Sequence, residues 1–113
     1  MGFFTRVPRT DPQRAAELLR TREAVVLDVR ERVEWKLGHI RGSIHIPLGE
    51  LAGRADRLPR DRTIIAVCRS GNRSAAAARA LQRAGYRVEN LSGGMRRWER
   101  AGLALDPANG RIV

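Results

Sequence analysis

The chain has one cysteine, Cys68, in its 113 residues. It therefore has no partner for an internal disulfide or for a dithiol redox pair within the chain, and nothing marks it for an oxidising compartment. A cytoplasmic setting is expected. One cysteine and two histidines, scattered without ligand spacing, do not form a thiol-based metal site, so no metal is expected. Aromatic residues make up only 4% of the sequence, which leaves the core to Leu, Ile, Val and abundant Ala. No apolar run approaches the roughly 18 to 20 residues of a membrane-crossing helix. Met1–Thr10 lacks the basic region and apolar stretch of a secretory signal. Arg6 stands where an N-myristoylation signal needs Ser or Thr. No repeat or low-complexity tract interrupts the chain.

Lysine is nearly absent too: Lys36 stands alone, and arginine carries almost all of the net charge of +10. The arginines are spread along the whole chain, with little aromatic interleaving for base stacking. That distribution reads as solvated surface, not as a nucleic-acid or membrane footprint. A positive surface still draws small anions toward the protein.

Apolar residues at 42% and charged residues at 30% are ordinary for one globular domain of this length. Asp11 and Pro12 are suited to the N-cap and first position of a helix, with Ala15, Ala16, Leu18 and Leu19 on one face and an end near Thr21. Ala24–Val29 is a β-branched run without polar alternation, the pattern of a buried parallel strand. Asp28 is out of place in such a strand and is marked for that reason. Glu31–Leu37 reads as a short helix stopped by Gly38, Ser43–Ile46 as a short strand closed by Pro47, and Leu48–Leu58 as a helical stretch. Thr63–Val67 is the strongest strand and runs straight into Cys68. Arg73–Ala84 is a strong Ala-rich helix with Gly85 as its C′ residue. Tyr86–Leu91 reads as a strand, Gly93–Gly94 as a turn, and Met95–Ala101 as a helix ended by Gly102. Strands alternating with helices predict an α/β domain with a mostly parallel sheet and helices on both faces. The divisions expected are an N-terminal extension (1–10), one domain (11–105) and a C-terminal tail (106–113).

In open parallel sheets, ligands bind beyond the carboxyl ends of the strands. Cys68 occupies such an end, just before the best helix. Unpaired amides and the positive end of the helix dipole stabilise a thiolate there, and Arg69 and Arg73 push the same way, so the thiol pKa is expected to fall. The amides of Cys68-Arg69-Ser70-Gly71-Asn72-Arg73 form a candidate cradle for an anionic sulfur, with Gly71 supplying the positive φ for a tight curl. Arg69 and Ser70 are candidates for substrate contact. Asn72 is expected to shape the turn.

Four blocks, in order, resemble the rhodanese-like domains. These are Leu27-Asp28-Val29-Arg30 with Glu31 and Glu34-Trp35; Gly38-His39-Ile40-Arg41-Gly42-Ser43-Ile44-His45-Ile46-Pro47; Cys68-Arg69-Ser70-Gly71-Asn72-Arg73-Ser74; and Leu91-Ser92-Gly93-Gly94-Met95 with Trp98. The resemblance runs from about Asp11 to Leu103. It implies a five-stranded parallel sheet flanked by helices and transfer of a sulfane sulfur through a Cys68 persulfide. The donor implied is a small anion such as thiosulfate, and the acceptor is cyanide, a thiol or a sulfur-carrier protein. Arg73 and Arg69 would attract the donor, while Asp28 and Arg30 would support the loop. His39 and His45 invite a general-base reading but are better read as structural. Glu31 and Trp35 cap and pack their helix, Gly93 and Gly94 shape the turn beside the loop, and Trp98 belongs to the core.

Two other readings stay open. One is a cysteine phosphatase or arsenate reductase, whose loop is one residue longer between Cys and Arg than the four residues separating Cys68 from Arg73. The other is a non-catalytic binding or regulatory module.

Overall fold

The computed structural model describes residues 6–113. Five strands form one sheet: β1 (Arg9–Thr10), β2 (Ala24–Asp28), β3 (Ile44–His45), β4 (Thr63–Val67) and β5 (Val88–Leu91), in the order β1-β5-β4-β2-β3. Every pairing is parallel. The helices are α1 (Pro12–Arg20), α2 (Arg32–Leu37), α3 (Leu51–Arg54), α4 (Asn72–Arg83) and α5 (Gly94–Arg100). None is long and apolar enough, among the described residues, to cross a membrane.

The sheet is buried on both faces, which is why β2 and β4 carry no polar alternation. Side chains one residue apart on β4 point to opposite sides. Ile64 and Ala66 join Leu51 of α3 and Ala77, Ala78 and Leu81 of α4. Ile65 and Val67 join Ala15 of α1 and Met95 and Trp98 of α5. The strands β2 and β4 run level to their ends, where Asp28 lies opposite Val67 and Val29 N–H donates to Val67 O. Cys68 is the next residue, so both marked strand-end residues meet at one edge of the sheet.

Three elements differ from the sequence expectation, each for a physical reason. Arg9 and Thr10, assigned to the extension, form the edge strand β1, with Asn90 N–H donating to Pro8 O and Ser92 N–H to Thr10 O. Residues 1–5 of that extension lie outside the described residues. The helical stretch expected over Leu48–Leu58 breaks into a 3₁₀ turn at Leu48–Glu50, α3, and a second 3₁₀ turn at Ala55–Arg57. Gly49 and Gly53 fall inside it and weaken a continuous helix. Tyr86 is withheld from β5 because its N–H closes the end of α4 on Leu81 O, while Gly85 N–H takes Gln82 O. With Gly85 at φ +92°, this is a Schellman cap.

The tail is irregular but docked. His39 and Asp106 exchange backbone hydrogen bonds, and Arg111 N–H donates to Leu37 O at the end of α2.

The start of α5 is sewn to the residues after β4. Met95 N–H donates to Cys68 O at 2.8 Å and Arg96 N–H to Arg69 O at 3.0 Å, so unpaired first-turn amides of the helix find their partners in the loop. Gly94 makes this approach possible. At φ +60°, a Cβ there would lie 2.5 Å from Cys68 O and 2.6 Å from Arg69 C. Gly94→Ala is expected to cost about 2 kcal/mol or more, from left-handed strain plus the backbone clash. A urea midpoint equal to that of the parent protein would contradict this anchoring.

Candidate active site

Cys68 is buried at the end of β4, with only 1% of its surface exposed. The chain leaves the strand, passes Arg69 and Ser70, and curls at Gly71 in a left-handed conformation (φ +111°) before α4 begins at Asn72. The curl turns Gly71 N–H inward, where it donates to Cys68 Sγ at 3.1 Å. The Ser74 hydroxyl lies 3.4 Å from the same sulfur. Burial pushes the Cys68 thiol up. The Ser74 hydroxyl and the amides of Ser74, Gly71 and Ser70 pull it down by more, so the thiol sits below its ordinary range.

The direction is the one expected from sequence, but the leading downward causes are hydrogen bonds at the sulfur, not the flanking arginines. Arg73 is held by Glu34 of α2 in a two-pronged pair, Nη1 to Oε1 at 2.8 Å and Nη2 to Oε2 at 2.9 Å. That contact holds the Glu34 carboxyl down at about 2 against the opposing effect of burial, and holds Arg73 above its ordinary value. Glu34 also accepts from Glu31 N–H in the capping box that starts α2. Arg69 Nε donates to Val113 O at 2.8 Å. Both loop arginines thus have partners within the protein.

Ser70 and Asn72 are exposed. Asn72 opens α4, and both residues line a groove of about 580 Å³ along the outer side of the loop. Arg6, Arg9, Arg79 and Arg83 also line it, and no acidic residue does.

Asp28 and Arg30 form a fully buried ion pair, with Arg30 Nη2 donating to Asp28 Oδ2 at 2.7 Å and Nε donating to both carboxylate oxygens. Arg30 also donates to Gly38 O and Glu34 O, tying the end of β2 to the middle and the C-cap of α2. Neither residue hydrogen-bonds the Cys68 loop. Each histidine is tied to a backbone carbonyl: His39 Nδ1–H donates to Trp35 O and His45 Nε2–H to Arg30 O, each at 2.7 Å. Trp35 stacks on both imidazoles. Glu31, Gly93, Gly94 and Trp98 take the positions expected of them.

Two residues outside the expected site set touch it. Ser74, within the quoted block but given no role, contacts the sulfur. Asn90, from the middle of β5, accepts from Ser74 Oγ at 2.7 Å and donates from Nδ2 to Gly71 O at 3.1 Å. A polar residue inside a buried strand is the signal that marked Asp28, and it applied equally to Asn90.

Arg30→Leu would leave the Asp28 carboxylate buried without its partner, and is expected to cost about 3–5 kcal/mol in urea or heat denaturation. Because the Glu34 pKa is lowered, its pair with Arg73 stabilises the fold fully above the ordinary carboxyl value of 4.5 and loses that contribution as pH falls toward 2. Glu34→Gln is therefore expected to flatten the acid limb of the stability–pH curve, with a loss of about 1 kcal/mol at neutral pH. An unchanged acid limb would contradict the pairing.

The comparisons agree on one family. Residues 11–101 match the rhodanese-like domain. A thiosulfate sulfurtransferase of Actinobacillus succinogenes is 32% identical over 100 residues, covering 88% of this chain and 90% of that protein. An HTH-type transcriptional regulator of Mycobacterium tuberculosis is 46% identical over 96 residues, covering 80% of this chain, which spans 42% of the regulator's length. Among solved structures, a rhodanese-related protein from Thermoplasma volcanium superposes with a TM-score of 0.82 at 34% identity, covering 87% of this chain and 96% of that one. The match over residues 11–101, the agreement in fold and a relative of similar length lead to one conclusion: the chain belongs to the rhodanese-like domain family.

Proposed function

We propose that the protein transfers a sulfane sulfur through a persulfide on Cys68, from a small anionic donor such as thiosulfate to a thiophilic acceptor. The observation that carries this reading is the Gly71 amide 3.1 Å from Cys68 Sγ, in a loop that turns its N–H groups toward the sulfur. A thiol held below its ordinary value supplies thiolate for attack. The thiolate attacks the outer sulfur of thiosulfate, the S–S bond breaks, and sulfite leaves with the bonding pair. The new terminal sulfur carries the negative charge, and the amides of residues 69–73 would stabilise it. Cyanide, a thiol or a sulfur-carrier protein then takes that sulfur and returns Cys68 to the thiolate. The organic chemistry rests on the cysteine alone, with no cofactor. Thiol acceptors and an unbridged cysteine suit the cytoplasm.

Arg73 serves this chemistry by fixing the loop through Glu34, and Asp28 with Arg30 holds the neighbouring strand end. Attraction of anions then falls to the arginines of the adjacent groove, Arg6, Arg9, Arg79 and Arg83. The loop also argues against phosphate chemistry: it is short, and its closing guanidinium is spent on a carboxylate.

Similarity to a transcriptional regulator favours a second reading, in which the domain senses or binds without turning over. Intact mass after incubation with thiosulfate separates the two. The expected result is a gain of one sulfur atom, removed by cyanide with release of thiocyanate, and absent from Cys68→Ala. A demonstrably reduced Cys68 that takes sulfur from no sulfane donor would overturn the proposal in favour of the binding module.

A further inference from the structure

The Ser74 hydroxyl has one proton and two acceptors: Asn90 Oδ1 at 2.7 Å and Cys68 Sγ at 3.4 Å. Ser74 is fully buried and Asn90 is 8% exposed, so solvent does not relieve the competition. We propose that Asn90 is a positioning residue for the reacting sulfur: it competes with Cys68 Sγ for the Ser74 proton and so weakens the hydroxyl's hold on the sulfur.

The hydrogen-bond directions follow from the donors available. Asn90 presents its Nδ2–H to Gly71 O, which fixes its Oδ1 toward Ser74 as a pure acceptor. While Cys68 is a thiol, one continuous chain satisfies every group: Sγ–H to Ser74 Oγ, Ser74 Oγ–H to Asn90 Oδ1, and Asn90 Nδ2–H to Gly71 O. When Sγ gives its proton to solvent, the chain loses its first donor. The hydroxyl then either stays on Asn90, leaving the thiolate one donor short, or turns to Sγ and strands a buried amide oxygen. Both choices cost free energy. Asn90 thus limits how far the site lowers the thiol pKa and keeps the thiolate basic and reactive. A sulfur bonded to a second sulfur has neither proton nor charge at Sγ, so in that state Ser74 stays on Asn90 without conflict. That last consequence rests on the persulfide reading above; the competition for the proton does not.

Among the charged groups, Arg73 acts on Cys68 through its charge and is paired with Glu34; Arg69 belongs to the loop and donates to Val113 O; Arg9 of β1 lies in register with Asn90; and Arg6, Arg79 and Arg83 share the groove that Asn90 lines. Substituting Asn90 or Ser74 changes none of them.

Cys68 is the only cysteine, so the pH dependence of its alkylation by iodoacetamide reads one thiol. Asn90→Ala is expected to free the Ser74 hydroxyl for Sγ. The alkylation midpoint then moves down by about one pH unit, and the plateau rate at high pH falls about threefold, because a less basic thiolate is less nucleophilic. Both changes are expected to vanish when Ser74→Ala is already present. A midpoint that stays or rises in Asn90→Ala, or the same drop with Ser74 absent, overturns the proposal and leaves Asn90 as a mere tether for Gly71. Should Asn90→Ala fail to fold, Ser74→Ala alone decides. A midpoint rise of less than about one pH unit is expected if Asn90 holds the hydroxyl, and a larger rise shows that the hydroxyl already serves the sulfur. Alkylation needs no sulfur donor, so failure of sulfur loading and failure of this relay are separate results.

Discussion

A peptide group points its N–H and its C=O in opposite directions. For a loop to turn its amides onto a sulfur atom, its carbonyls must point outward and find donors there. Three carbonyls of the segment after β4 meet this constraint. Cys68 O takes Met95 N–H, Arg69 O takes Arg96 N–H, and Gly71 O takes Ala75 N–H and the Asn90 side chain. The amides of Arg69, Ser70 and Asn72, which share those peptide groups, are thereby turned away from the tethers, and Gly71 N–H itself donates to Sγ at 3.1 Å. The rest of the structure follows from holding those outward donors in place: α5 must start beside the loop, Gly94 must lack a side chain, and β5 must present Asn90 at the middle of the sheet.

Charge in this site serves mainly to fix shape. The two loop arginines are engaged by Glu34 and by Val113 O, and the ion pair beneath α2 is shut away from solvent. Buried pairs of this kind add little net stability relative to apolar packing, but removing one partner is costly. They hold α2, the end of β2 and the start of α4 in one arrangement. Four more arginines, Arg6, Arg9, Arg79 and Arg83, lie just outside, along the groove. The dipolar amides act at the sulfur and the guanidinium groups act around it.

What could be read from sequence, and what could not, divides by range. The β4–Cys68–α4 unit was legible because its signals are local: an apolar run, a polar loop with glycine, and an Ala-rich stretch. Asp28 was legible because a carboxylate inside a buried strand needs a partner. Asn90 carries the same signal, hidden by the more familiar residues that follow it. Edge strand β1 is two residues held by backbone bonds, and it leaves no side-chain pattern to read. The Arg73–Glu34 pair joins residues 39 apart, so no spacing rule reveals that the arginine expected to meet substrate is already engaged. Leu48–Leu58 misled because its apolar spacing suits a helix, while its two glycines allow it to break into turns.

If the protein works as proposed, its loop is already shaped for a sulfur bonded to Cys68. The direct test is a crystal structure of the protein after incubation with a sulfane donor. The expected result is one additional sulfur atom bonded to Sγ at about 2.05 Å, ringed by the amides of residues 69–73, with the loop backbone where it lies in the unloaded protein. A loaded sulfur directed away from those amides, or a loop that must rebuild to admit it, would contradict the account.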